Sequence, residues 1–190
     1  MITIAIFASG SGSNAENLFN YYAKSTKVKI KLVVTNNENA GIIERANRHR
    51  KNIQIISKAT LTNYSEQFID FLKTEKVDLI VLAGFLLKIP SSLVKAFPNR
   101  IVNIHPSLLP KYGGKGMYGM NVHNAVIAAH EKQSGITIHF VNEEYDKGKI
   151  ILQEPCNLTE TETPESLAEK IHQLEYKHLP LAIDKVIEGL

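Results

Sequence analysis

The sequence predicts an α/β fold in which a mostly parallel sheet is flanked by helices and closes with a C-terminal antiparallel hairpin and a long C-terminal helix. Three observations carry this. Short runs rich in Ile and Val alternate with longer stretches of helical period, as successive βαβ units do. The sixth and seventh apolar runs are joined only by "EEYDKG", too short for a helical crossover, so they pair as a hairpin. Finally, "TPESLAEKI" opens a helix with Thr163 as cap, Pro164 at its first position and Glu165 in its first turn.

In chain order the predicted strands are Ile2–Phe7, Val28–Thr35, Ile53–Ile56, Asp78–Ala83, Arg100–Ile104, Gly135–Asn142 and Lys149–Glu154. The helices between them are Asn14–Tyr22, Gly41–Arg50, Tyr64–Thr74, Ser91–Phe97, Val122–His130 and Pro164–Gly189. The first five strands read as near-continuous apolar runs, expected of strands covered on both faces. "KYGGKGMYGMN", Lys111 to Asn121, holds four glycines and is read as a mobile loop. There is no internal repeat, linker or low-complexity tract.

A chain of 190 residues with 44% hydrophobic and 22% charged content suits one globular domain, 1–190, with a real core. The formal net charge of +3 is too mild and too evenly spread to argue for nucleic acid, but suits an anionic small molecule. The one dense basic run, "RANRHRKN", is read as a solvated helix face. A single cysteine, Cys156, excludes an intramolecular disulfide framework and is read as a packed thiol in a strand. With neither a basic leader nor an apolar stretch of membrane-spanning length, the expected location is the cytoplasm, with no membrane partner.

Three segments carry chemistry. The first βα junction, "IAIFASGSGSNAENL", places Gly10 and Gly12 between a buried strand and a helix whose N–H groups and positive dipole end would face a phosphate. A plain glycine turn explains the same residues less well. Gly10-x-Gly12-x-x-Ala15 also fits the loose dinucleotide fingerprint of a Rossmann-like unit. That fingerprint wants an acid at the end of the second strand; Thr35, Asn36 and Asn37 stand there, with Glu38 only beyond, so a ribose-phosphate ligand fits better than NAD.

The second segment, "AGFLLKIP", offers Gly84 for a close backbone approach and an apolar wall of Phe85, Leu86, Leu87 and Ile89 for a flat heterocycle, against an equally good reading as core. The third, "IVNIHPSLLP", puts Asn103 and His105 on one face of a strand end and stops with Pro106. Asn103 would donate to an oxygen becoming negative, and His105 would donate as imidazolium or carry a proton between two nitrogens. Asp146, in the hairpin turn, would fix the histidine's protonation or hold a water. All three segments follow strand ends, where open parallel sheets place their ligand crevice. The remaining histidines, His49, His123, His130, His139, His172 and His178, lack metal-ligand spacing, so no metal is expected. Neither Ser-His-Asp order nor a G-x-S-x-G elbow supports covalent hydrolysis.

Five segments together, "SGSGSN", "LAGFLLKI", "NIHPSLLPKY", "GITIHFVNEEYDKGKIILQ" and "HQLEYKHLP", resemble the phosphoribosylglycinamide formyltransferases, folate-dependent enzymes of purine synthesis. The resemblance runs from the first strand to the last helix. It implies transfer of a formyl group from 10-formyltetrahydrofolate, a co-substrate, to the amine of glycinamide ribonucleotide. It also implies catalysis by Asn103, His105 and Asp146; substrate binding by Gly12, Ser13, Asn14, His172 and Glu175; and folate binding by Phe85, Leu86, Leu87, Lys88, Ile89, Asn142, Glu143 and Tyr145. The backbone of Leu87 and Ile89 would meet the pterin. Only small-molecule partners are implied, and a homodimer is left open.

Two departures stand out. The loop after "LLPKY" is longer and richer in glycine than the commonest family pattern, and Leu61 stands near where an arginine often meets the folate tail. Related methionyl-tRNA formyltransferases would carry an added C-terminal domain, and formyltetrahydrofolate hydrolases an added N-terminal one. The alternatives are that hydrolase, which consumes formylfolate without the nucleotide, and a nucleotide-binding module without catalysis, which would keep its affinity when His105 is truncated.

Overall fold

The run Ile4–Phe7 has no polar side chain to hydrate and lies wholly buried as the heart of β1 (Ile2–Phe7). In the computed structural model, which describes residues 1–190, β1 belongs to the first of two compact units, Met1–Val102 and Asn103–Leu190. One seven-stranded sheet has the order β3-β2-β1-β4-β5-β6-β7. The α/β class with a mostly parallel sheet, an antiparallel C-terminal hairpin and a long last helix is thus the fold observed.

The first unit follows β1 with α1 (Ser13–Tyr21), β2 (Val28–Thr35), α2 (Ile42–Arg48), β3 (Asn52–Ile55), α3 (Lys58–Thr62), α4 (Ser65–Thr74), β4 (Leu79–Leu82), α5 (Ser91–Ala96) and the start of β5 (Ile101–His105). β1 pairs in parallel with both β2 and β4, and β2 with β3. Helix α4 buries Phe68, Ile69 and Leu72, the i, i+1, i+4 stripe that one helical face allows. Two expectations need correction. β3 is not covered on both faces: it ends the strand order, and its four residues, Ile55 included, are exposed or only half-buried. The sequence reading also left out α3, a one-turn helix that begins at a capping box in which Ser57 and Thr60 satisfy each other's backbone N–H.

The second unit holds the end of β5, α6 (Met120–Ala128), β6 (Gln133–Phe140), β7 (Ile150–Asn157) and α7 (Pro164–Ile187). β6 and β7 are antiparallel, pairing Ile136 with Glu154 and Ile138 with Leu152, and the register shifts between Ile138 and His139. That irregularity precedes the hairpin turn. Gly148 closes the turn where a Cβ would sit 1.6 Å from the Phe140 carbonyl oxygen, so only glycine fits. Helix α7 starts at the Thr163–Ser166 capping box with Pro164 first and buries Leu167, Ile171, Leu179 and Ile183, a 3.6-residue stripe facing α6, β6 and β7. No helix is long and apolar enough to cross a membrane.

Candidate active site

In the first unit, the loop after β1 is built by close packing. Gly12 caps α1 in the left-handed region, φ 76°, and a Cβ there would lie 2.5 Å from Ile42 Cδ1, so the loop tolerates only glycine. Gly12 supplies no side-chain cap to the first turn, which opens with Ser13 and Asn14, and the N-terminus of a helix favours an anion. The start of α2 braces the loop from below. Ile42 N–H donates to Gly10 O at 3.2 Å, and Arg45 Nε donates to Ser11 O at 2.8 Å while its guanidinium pairs with Glu16. The basic run is therefore more than a solvated face: Arg45 and Arg48 both grip Glu16, and Lys51 lies over the Phe19 ring, 5.6 Å from its centre.

The amides at the end of β2 have a structural use. Ser9 Oγ donates to Asn36 Oδ1 and accepts from Leu86 N–H at 2.9 Å, while Asn37 Nδ2 reaches Ser9 O at 3.4 Å. The loops after β1, β2 and β4 are so tied into one layer. Within "AGFLLKIP" the wall divides. The Ile89 side chain is 4% exposed and packs into the core, which leaves its backbone as the part that could meet a ligand, and Phe85 is half-buried, edge-on to Phe7 at 5.3 Å. Leu86, at 51% exposed, and half-buried Leu87 face outward beside exposed Lys88.

The second unit gathers ionisable groups around the end of β5. His105 is 4% exposed, and its Nδ1 lies 3.7 Å from Asp146 Oδ2. Its Nε2 meets Tyr112 O at 2.8 Å; a carbonyl only accepts, so Nε2 carries the proton and Nδ1 turns its lone pair to the carboxylate. Burial pulls the His105 pKa below its ordinary value, outweighing Asp146 and the Tyr112 carbonyl, which both favour the charged ring. His105 is thus neutral at pH 7. Asp146 lies below the usual carboxylate value and stays ionised: burial pushes it up, and the Gly114 N–H donating at 2.8 Å is among the contacts that outweigh burial.

His139, which the sequence reading left without a role, completes this cluster. It is 2% exposed in β6, its Nδ1 donates to Phe140 O at 2.9 Å, and its Nε2 accepts from Asn103 Nδ2 at 3.2 Å while lying 3.6 Å from Asp146 Oδ1. Asn103 keeps a second N–H for another acceptor. The available signal was a histidine inside the apolar run "ITIHF", seven positions before the turn aspartate; what the sequence lacked was the folded contact that brings it within 3.2 Å of Asn103 Nδ2.

The turn residues differ in setting. Asn142 Oδ1 accepts from Glu144 N–H at 3.0 Å, and Asn142 Nδ2 donates to Lys147 O at 3.2 Å, which shapes the turn that carries Asp146 at φ 53°. Glu143 and Tyr145 are exposed. On α7, Glu175 is buried, whereas His172 is exposed and edge-on to Tyr176. His123 of α6 is 3% exposed; burial, reinforced by His172 and His105, drives its pKa down to about 4. The structure thus brings Asn103, His105 and Asp146 together, adds His139, and leaves Gly12–Asn14 and Phe85–Ile89 as separate features of the first unit.

A Rossmann-like sheet whose fifth strand ends in an Asn-x-His pair beside a hairpin-turn aspartate defines the class: residues 2–183 match the formyl transferase family, and the chain belongs to it. Among its relatives, a chloroplastic phosphoribosylglycinamide formyltransferase of Arabidopsis thaliana is 41% identical over 179 residues, covering 92% of this chain and 61% of that protein. The phosphoribosylglycinamide formyltransferase of Haemophilus influenzae is 33% identical, covering all of this chain and 89% of that one. The crystal structure of glycinamide ribonucleotide transformylase 1 from Symbiobacterium toebii superposes with a TM-score of 0.90 at 32% identity, covering 100% of this chain and 89% of that one. The chain spans about three fifths of the length of the plant relatives it matches.

Proposed function

We propose that this chain transfers the formyl group of 10-formyltetrahydrofolate to the amine of glycinamide ribonucleotide, a step of purine synthesis, as the names of its relatives suggest. The observation that carries the reading is the Asn103–His139–Asp146–His105 cluster, with one ionised carboxylate beside a neutral imidazole. In the proposed reaction the amine attacks the formyl carbon, and the formyl oxygen becomes negative. The second Asn103 N–H stabilises it. The attacking nitrogen must lose a proton and the folate nitrogen must gain one. His105 Nδ1 takes the amine proton, Asp146 stabilises the imidazolium that forms, and the imidazolium returns a proton to the folate nitrogen as the bond between that nitrogen and the formyl carbon breaks. Gly12, Ser13 and Asn14 would hold the phosphate, Glu175 the ribose, and His172 the neighbouring substrate surface. Phe85 to Ile89, Asn142, Glu143 and Tyr145 would hold the folate, which is a co-substrate. Both partners are small molecules, and the compartment proposed is the cytoplasm.

The test is to mix purified protein with both substrates and follow the folate absorbance change. Removing one oxyanion donor, Asn103→Ala, should lower kcat about 10²- to 10³-fold. His105→Ala should abolish most turnover while nucleotide binding persists. Consumption of formylfolate without the nucleotide would make the protein a hydrolase, and folded protein that binds but never turns over would make it a binding module.

A further inference from the structure

We propose that Glu131 is a positioning residue for the His105–Asp146 pair, acting through the glycine-rich loop. The inference rests on the proposed formyl transfer for its rate readout, though not for its structural one. Glu131 Oε1 accepts from Lys111 Nζ at 2.8 Å and from Tyr112 OH at 2.9 Å. Both donors lie at the start of the loop. Its next residues turn back onto the pair: Tyr112 O accepts from His105 Nε2 at 2.8 Å, and Gly114 N–H donates to Asp146 Oδ2 at 2.8 Å. The loop backbone therefore grips the two ionisable groups with one carbonyl, on the anchored Tyr112 itself, and one amide two residues beyond it.

The local conformation shows why an anchor is needed. Tyr112 holds φ 56° and Gly114 φ 99°, so this segment adopts a backbone that a tyrosine rarely takes unless surrounding contacts enforce it. Gly113 lies so close that a Cβ would be 2.5 Å from Leu109 Cδ2 and 3.2 Å from Asp146 Cβ. Ser107 Oγ donates to Lys111 O at 2.7 Å and fixes the entry to the loop, but only Glu131 reaches both Lys111 and Tyr112 through their side chains. The groups that face His105 are Asp146 from the hairpin turn, His139 from β6, His123 from α6 and the Tyr112 carbonyl; His172 of α7 acts on His123. Of these, the Tyr112 contact is the one that Glu131 controls, along with the Gly114 contact to Asp146.

Two variants test this, Glu131→Ala and Tyr112→Phe; the second keeps the carbonyl and removes only the hydroxyl that Glu131 holds. Each should lower kcat roughly three- to tenfold with little change in either KM. Because His105 must start neutral to take the proton, its titration sets the acid limb of the kcat profile, and displacing the Tyr112 carbonyl should move that limb to lower pH. In substrate-free protein, imidazole NMR should show His105 titrating at lower pH in both variants, because the Tyr112 carbonyl that favours its charged form is displaced. The double variant should be no worse than the stronger single one, since both cut the same tie. An unchanged His105 titration together with an unmoved acid limb overturns the inference. Wild-type protein without transferase activity overturns the proposed function instead, and the NMR comparison still decides the role of Glu131.

Discussion

Lowering the pH from 7 to 5 should destabilise this protein through one identifiable side chain, His123. The ring is 3% exposed and titrates at about 4 in the fold, against an ordinary value of 6.5, because burial and the neighbouring His172 and His105 all oppose its charge. Its Nδ1 finds no hydrogen-bond partner in the fold that could hold a proton. Between those two pH values the unfolded chain binds a proton that the folded chain refuses, so stability falls as pH falls. The loss amounts to about 2 kcal/mol between pH 7 and pH 5, approaching ~3 kcal/mol at pH 4. In a chain of this length that is a drop in Tm of roughly 4–8 °C. His105, buried and shifted in the same direction, adds to the acid sensitivity of the wild type, so the measurement must be a difference. Urea denaturation of wild type and His123→Gln at both pH values isolates His123: the variant should lose about 2 kcal/mol less on acidification. Equal losses in the two proteins, or an NMR titration of His123 near its ordinary value, would refute the burial argument.

Gly148→Ala puts a methyl where the Phe140 carbonyl oxygen lies 1.6 Å away, so the hairpin must reopen; a destabilisation above ~2 kcal/mol by urea denaturation is expected, with activity lost as Asp146 moves. Gly12→Ala meets Ile42 at 2.5 Å and a left-handed φ, and should weaken binding of inorganic phosphate by isothermal calorimetry and raise the KM for the nucleotide with folate KM unchanged; unaltered phosphate affinity would remove Gly12–Asn14 from the substrate site.

What was legible in the sequence was periodic or local. The Ile/Val runs and the capped start of α7 depend on neighbours within a few residues, so strand and helix positions emerged within a few residues of those observed, and the short "EEYDKG" connection forced the antiparallel pairing of β6 and β7. Edge status was not local: Asn52–Ile55 looks like any short apolar strand until the strand order leaves it outermost. The one-turn α3 rests on a single Ser57–Thr60 reciprocal cap, too short to leave a periodic trace. In the site, residue types were legible and contacts were not. Asp146 was legible as a hairpin-turn carboxylate suited to partner His105, but 41 residues separate them and only the folded hairpin sets the 3.7 Å gap.

The same distinction explains why the proton states could not be read in advance. Asn103 and His105 share a strand face, which suggested a donor beside an imidazole that either donates as imidazolium or carries a proton between two nitrogens. The structure gives each a different partner instead: Asn103 spends one N–H on His139, and His105 spends Nε2–H on the Tyr112 carbonyl. With His105 and His123 both held neutral by burial and Asp146 held ionised, a carboxylate stands beside an unprotonated ring nitrogen at pH 7. Environments that push neighbouring pKa values apart assign the roles of acid and base. In the proposed transfer that makes His105 the first acceptor of the amine proton, with the oxyanion left to Asn103. The order is testable, because a base that must start neutral loses rate on the acid side of its pKa, whereas an imidazolium donor would gain it.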